Sequence, residues 1–250
     1  MTETSSPIKS LIQSRALNKA YDLRLVLRQL DLDVLRGECV ALLGANGSGK
    51  STLLRLLAGM SKPTSGELSI GGWEMPREAG AVRAQIGMVS HKPLLYDNLS
   101  ARENLRFFAR LYNVDTAVRE ERIAQLLDKV GLGKRVDDRV RAFSRGMQQR
   151  LSIARALVHE PAVLLFDEPY TGLDQEGAAT LDTLIAQARD DGHTIVVTTH
   201  ELERVPRIAG RALILSRGRV GYDAPLAGTS SQELVAIYTD VTGMTRERER

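Results

Sequence analysis

Short apolar runs punctuated by glycine alternate with amphipathic stretches along most of the chain. Residues 39–43, Cys39-Val40-Ala41-Leu42-Leu43, are apolar throughout and predict a buried strand. Residues 51–58 read as a helix, with Gly59 at the position where a helix end favours glycine. Upstream, residues 23–36 alternate in part (Leu25, Leu27, then Leu30, Leu32, Val34) and predict strands of a small antiparallel sheet, turning at Arg36-Gly37. Pro63-Thr64-Ser65-Gly66 reads as a turn, residues 67–70 as a strand closed by Gly71-Gly72, and residues 86–90 as another short strand.

The pattern then becomes helical. Ser100-Ala101-Arg102-Glu103 is a capping box, and Leu105, Phe108, Ala109 and Tyr112 follow on one face. A second helix from about residue 118 carries Ile123, Leu126, Leu127 and Val130 and stops at Gly131. Residues from about 97 to 158 thus predict a helical subdomain set between sheet-forming regions. Strands resume at 162–166 and 194–198, with Leu181, Leu184, Ile185 and Ala188 marking a helix between them. Unbroken apolar strands alternating with helices predict a parallel sheet covered on both faces. Residues 212–215 and 219–222 flank Ser216-Arg217-Gly218, a hairpin signal. Residues 1–10 read as a flexible lead, 11–240 as a single domain, and 241–250 as a charged tail.

A chain of 250 residues, 43% hydrophobic and 26% charged, can bury a sizeable core in such a domain. Its formal net charge of +3 does not call for a nucleic-acid partner. The single cysteine, Cys39, permits no internal disulfide, which suits the cytosol, and reads as a small core residue. No secretory signal pattern begins the chain, and no apolar run approaches the roughly 20 residues of a membrane span. Action at a membrane therefore needs another chain to cross it.

Candidate chemistry starts where the 39–43 strand ends. Gly44-Ala45-Asn46-Gly47-Ser48-Gly49-Lys50-Ser51-Thr52 fits G-x-x-x-x-G-K-[ST] between a predicted strand and a predicted helix. Glycines let successive N–H groups turn onto phosphate oxygens, and the helix start adds partial positive charge. Lys50 can set an ammonium against the β- and γ-phosphates, and Ser51 can offer its hydroxyl to Mg²⁺. The strand ending at Phe166 runs into Asp167 and Glu168. Asp167 can hold Mg²⁺ through water, and Glu168 can orient or deprotonate a water in line with the γ-phosphate. Tyr21 is either a packed core tyrosine or an aromatic that stacks on a purine base.

Phe143-Ser144-Arg145-Gly146-Met147-Gln148-Gln149-Arg150, with the helix after it, resembles the signature of the ATP-binding cassette (ABC) ATPases. Asp167-Glu168-Pro169 resembles the family's Walker B end, Thr171-Gly172-Leu173-Asp174 its D-loop, and His200 its switch histidine; the resemblance spans roughly residues 15–222. It implies an α/β P-loop NTPase fold: a mainly parallel core sheet, an N-terminal antiparallel β-subdomain and an inserted helical subdomain. It implies ATP and Mg²⁺ as cofactors, and two cassettes, read as a homodimer, packed head to tail. Tyr21 would stack on the base. Asn46, Gly47, Ser48, Gly49 and Thr52 would complete the phosphate loop begun at Gly44. Ser144 and Gly146 would meet the γ-phosphate held by the opposite chain, Asp174 would act across the interface, and His200 would hydrogen-bond the γ-phosphate. Three positions depart from the pattern. Arg145 replaces a glycine and Met147 a glutamine of the signature, and the Arg145 side chain must point away from the phosphate or toward the partner. His91 stands where the family has a glutamine that reaches the metal and the attacking water, so it joins the catalytic and metal sets.

The same resemblance places membrane transporter subunits against about residues 94–112, which would put the chain peripherally on the cytoplasmic face of the membrane. His91-Lys92-Pro93-Leu94-Leu95-Tyr96-Asp97, Phe143-Ser144-Arg145-Gly146-Met147 and Pro169-Tyr170-Thr171-Gly172 resemble ATP-binding subunits of haem exporters of cytochrome c maturation, the specific expectation; multidrug and polysaccharide exporters have similar loops. A soluble cassette acting on nucleic acid or ribosomes is the rival. The short stretch from Lys50 to Ser144 leaves room for a small helical subdomain but not for the long coiled coil of that class.

Overall fold

The computed structural model describes residues 10–90 and 92–243; the lead over 1–9, His91 and the tail beyond 243 lie outside the described residues. β1 (Ser10–Tyr21) and β2 (Arg24–Leu35) form a long antiparallel pair. β2 is one continuous strand where the alternation predicted strands, and its partner β1 was not predicted. The reason is local. Ala16 and Gln29 have φ of 44° and 48°, and the register shifts between Ser14 and Leu17. Bulges of this kind break the period of two by which a strand is recognised.

β3 (Cys39–Gly44) leads through the phosphate-loop sequence into α1 (Lys50–Leu57). β4 (Ser65–Ile70) and β5 (Trp73–Glu74) complete a four-stranded antiparallel sheet in the order β2-β1-β4-β5. After α2 (Ala79–Ala84) and β6 (Ile86–Ser90) comes the helical insertion: α3 (Ala101–Leu111), α4 (Thr116–Lys129) and α5 (Arg145–Leu157). The Ser100 capping box forms, with the Glu103 N–H donating to Ser100 Oγ at 3.2 Å and the Ser100 N–H to Glu103 Oε2 at 2.8 Å. Then follow β7 (Val163–Asp167), α6 (Gln175–Asp190), β8 (Thr194–Thr198), α7 (Val205–Ile208), β9 (Arg211–Ser216), β10 (Arg219–Pro225) and α8 (Ser231–Thr242). The second sheet has the order β10-β9-β3-β8-β7-β6, parallel except for the β9–β10 hairpin.

Alternation along the parallel strands divides the interior into two cores. Cys39, Ala41 and Leu43 join a core with the inserted helices, α6 and α8; Val40 and Leu42 join one with α1 and the antiparallel sheet. Leu164 and Phe166 take the first side and Val163 and Leu165 the second. A strand buried on both faces has no polar register to show, so these strands read as unbroken apolar runs. Burial pushes the Cys39 thiol up to about 12, so it is an inert core group.

The β9–β10 turn is fastened to the phosphate-loop sequence. The Gly218 N–H donates to the Ser48 carbonyl at 3.1 Å, and the Gly218 carbonyl accepts from the Arg28 N–H at 2.8 Å. Gly218 has φ of 80°, and a Cβ there would lie 2.2 Å from the Val26 carbonyl oxygen. Gly218→Ala is expected to lower stability to chemical denaturation by at least the roughly 1–3 kcal/mol that a left-handed non-glycine residue costs. Nucleotide affinity should fall with it, because the turn holds Ser48. An unchanged denaturation midpoint would show that the turn yields freely.

Candidate functional site

The C-terminal ends of β3, β7 and β8 gather the chemistry at one edge of the parallel sheet. Gly44 and Gly49 take φ of 145° and 112°, so the chain turns from strand to helix through conformations that a side chain would oppose. Lys50 is only 8% exposed. Its ammonium donates to the Gly44 carbonyl at 2.6 Å, with the Ala45 carbonyl at 3.4 Å. Burial lowers the lysine pKa, and the nearby Glu168 and Asp167 charges work against that. Ser48 Oγ is buried with no hydrogen-bond partner among the described residues.

β7 delivers Asp167 and then Glu168, which has φ of 50°. The sequence reading missed the residue that holds this pair. Thr198, opposite Asp167 in β8, accepts the Glu168 N–H at 3.0 Å, and its hydroxyl lies 3.0 Å from Asp167 Oδ1. A threonine ending an apolar strand gives only a weak sequence signal. Burial pushes the Glu168 carboxyl above the usual range, and the His200 and Lys50 charges pull it down. His200 Nε2 lies 3.1 Å from Glu168 Oε1, but without hydrogen-bond alignment, since Oε1 is buried and has no partner among the described residues. A half-buried carboxylate with a free lone pair beside a histidine is equipped to accept a proton from water.

Tyr21, Asn46, Gly47, Gly49, Lys50, Ser51, Thr52, Glu168 and His200 all line one open cleft of about 1400 Å³. Arg28 and Arg217, not singled out from sequence, line it too. Tyr21 ends β1 at 42% exposure, which excludes the packed-core alternative. The Lys19 ammonium lies 4.7 Å from its ring centroid, covering one face. A planar base has the other face. A purine nucleotide fits this cleft: a half-exposed ring at one end, and unpartnered Ser48 Oγ and Glu168 Oε1 beside the phosphate-loop sequence at the other. Among the described residues, no group of three or more His, Cys, Asp or Glu could hold a metal ion. Ser51 and Asp167 suit Mg²⁺ that is bound mainly by phosphate and water.

Ser144, Gly146 and Asp174 stand apart, in a second recess of about 400 Å³ that also takes in Arg145 and Gly172. Ser144 caps α5: its hydroxyl accepts the Met147 N–H at 3.3 Å and keeps its own proton to donate. Asp174 caps α6, accepting the Gly177 N–H at 2.8 Å. A Cβ on Gly146 would meet nothing within 4 Å, so this helix start is open. Arg145 folds back within its own chain, its Nε donating to the Thr171 carbonyl at 3.1 Å.

The profile of the ABC transporter family matches residues 27–171. The Nod factor export ATP-binding protein I of Cupriavidus pinatubonensis is 37% identical over 237 residues, covering 93% of this chain and 73% of that protein. The linearmycin resistance ATP-binding protein LnrL of Bacillus subtilis is 32% identical over 210 residues, covering 84% and 68%. A solved dimer of the ATP-binding cassette MJ0796, in a post-hydrolysis state with ADP and Pi, superposes with a TM-score of 0.76 at 28% identity, over 86% of this chain and 98% of that one. None of these names refers to haem or cytochrome c. The chain belongs to the ABC transporter family, as an ATP-binding subunit with the ATPase fold.

Proposed function

We propose that the chain drives an exporter: two copies close on two ATP molecules, and closure and hydrolysis move separate membrane subunits. The observation that carries the composite site is the separation of the two recesses. The cleft with Lys50, Glu168 and His200 lacks the open helix start at Ser144 and Gly146, and that helix start has no phosphate loop of its own. Each recess supplies what the other lacks, and the dimeric MJ0796 cassette supports a second copy as the source.

In this reading the Lys50 ammonium leaves the Gly44 carbonyl for the β- and γ-phosphates. The phosphate-loop N–H groups from Gly44 to Thr52, with Asn46, Gly47, Ser48 and Gly49, enclose the phosphates. Tyr21 stacks on the base. Ser144, already capping its helix, donates its free proton to the γ-phosphate of the opposite site, and Gly146 lets the phosphate approach. Glu168 takes the proton of the attacking water, His200 orients the γ-phosphate, and Asp174 stands at the interface. Mg²⁺, when bound, offsets charge on the phosphate oxygens; Ser51 and Asp167 would hold it, with His91 as a further candidate.

Among the described residues, no helix is long and apolar enough to cross a membrane. Leu94, Tyr96, Phe107, Leu111 and Tyr112 form an exposed apolar face at the inserted helices, between 39% and 62% exposed. We assign that face to the membrane subunits, which places the chain peripherally on the cytoplasmic side. Export is supported by the relatives' names, Nod factor export and linearmycin resistance. Haem as cargo rests on the residue 91–97 loop, Phe143-Ser144-Arg145-Gly146-Met147 and the Pro169-Tyr170-Thr171-Gly172 turn alone. A deletion strain tests it: failure to mature c-type cytochromes is expected, and normal maturation removes haem while leaving export in place.

Lys50→Ala should abolish tight ATP binding, because it removes the phosphate-facing ammonium. Calorimetric titration showing undiminished affinity would refute the loop assignment. Glu168→Gln keeps shape and hydrogen bonding but loses basicity, so it should bind ATP, fail to cleave it, and accumulate as a dimer by light scattering. Adding Gly146→Glu should prevent that dimer, since the monomer has space for the side chain and the new charge faces phosphate. A double variant that still dimerises would remove α5 from the interface.

A further inference from the structure

Residues 168–174 form the turn that leads from the hydrolytic cleft to the signature recess. Within it Tyr170 is 3% exposed, and its hydroxyl donates to Asp182 Oδ1 on α6 at 2.7 Å. Burial, with the Asp182 carboxylate alongside, pushes the phenol above its usual range, so it remains a donor. The other Asp182 oxygen takes Arg204 Nη1 at 2.7 Å. Arg204 ends the single helical turn Leu202–Arg204 that follows His200. Its Nε donates to Glu201 Oε2 at 2.5 Å, and its guanidinium lies 5.5 Å from the Tyr170 ring centroid. The Asp182 and Arg204 side chains are only 17% and 20% exposed.

One carboxylate therefore joins two turns. On one side is the turn after His200; on the other is the turn before Asp174. α6 makes the connection stiff, since it begins at its Asp174 cap and carries Asp182 two turns on. Arg145 extends it to the signature helix, because its Nε holds the carbonyl of Thr171, the residue next to Tyr170. The arginine that departs from the family's glycine thus has a place: it lies against Gly172, where a Cβ would come within 2.6 Å of its Nε.

We propose that Tyr170, Asp182 and Arg204 are positioning residues for hydrolysis, which hold the Asp174 turn in fixed relation to the His200 turn and so couple the two ATP sites through one chain. The proposal rests on the reading of His200 and Asp174 as parts of two different composite sites. In a closed dimer, a shift of His200 at one ATP would then displace Asp174 at the other. A cluster that merely stabilises the fold would hold the same groups together without linking turnover at the two sites.

The test uses the full chain with Tyr170→Phe, which deletes one hydroxyl and keeps the ring, and Asp182→Asn, which keeps the volume. Each should bind Mg-free ATP with the parent's affinity while kcat falls about tenfold, the scale of a lost hydrogen bond to a charged group. The Hill coefficient for ATP hydrolysis should drop toward one, and the double variant should be no slower than Asp182→Asn alone. Variants with a lower melting temperature that keep the parent's kcat and Hill coefficient, measured well below unfolding, would overturn the proposal. So would additive losses in the double variant. Failure of the composite-site reading is separately visible, as a Glu168→Gln chain that stays monomeric with ATP, and takes the proposal with it.

Discussion

Among the described residues, the buried Lys50 ammonium has no carboxylate in hydrogen-bond contact; the carbonyls of its own loop hold it. Much of the site follows from that arrangement. Burying a cation is costly unless acceptors surround it, and the chain supplies backbone acceptors where β3 ends. Glu168 and Asp167 help keep the lysine charged from a distance. A carboxylate in direct contact would hold the ammonium more tightly and compete with phosphate for it. Carbonyl oxygens are weaker partners that an anionic ligand can replace. Burial also raises the Glu168 pKa, so in the proposed reading low dielectric at one strand edge readies both a cation for phosphate and a base for water.

The parallel sheet is what brings these groups together. β3, β7 and β8 run in one direction, so their C-terminal ends, and the residues just past them, meet at one edge. The side chains are then fixed by neighbours of modest chemistry. Thr198 secures the backbone of Glu168 from the adjacent strand, and Gly218 secures Ser48 from the β9–β10 turn. Neither would touch a nucleotide in this reading, yet both set where nucleotide-facing atoms lie.

Legibility in the sequence followed the physics of each element. The 39–43 strand, the capping box at Ser100 and the strand ending in Asp167-Glu168 were readable because burial, capping and charge each leave a local mark. β1 was not, because its bulges and charged positions Arg15 and Lys19 hide the alternation. α8 could have been found: Ser230 and Glu233 form a capping box, and Gly243 takes the left-handed conformation at its end. Arg28 and Arg217 reach the cleft, and Thr198 reaches the Asp167-Glu168 pair behind it, only through tertiary neighbours, and no spacing along the chain reveals them. The fate of Arg145 was equally a matter of three dimensions. Sequence allowed it to point away from the phosphate or toward a partner, and it lies on the 171–172 turn of its own chain.

That placement bears on why a cation is tolerated at the first position of α5. A positive charge at a helix start works against the helix dipole, and no acidic side chain stands in the first turn to offset it. Folded onto the Thr171 carbonyl, the guanidinium satisfies one donor and leaves the helix start at Gly146 uncovered. An anion arriving there meets free N–H groups and a cation beside them, so the charge that disfavours the lone chain favours the assembled one. In the proposed composite site, α5 is thus better matched to a dimer closed on nucleotide than to the monomer.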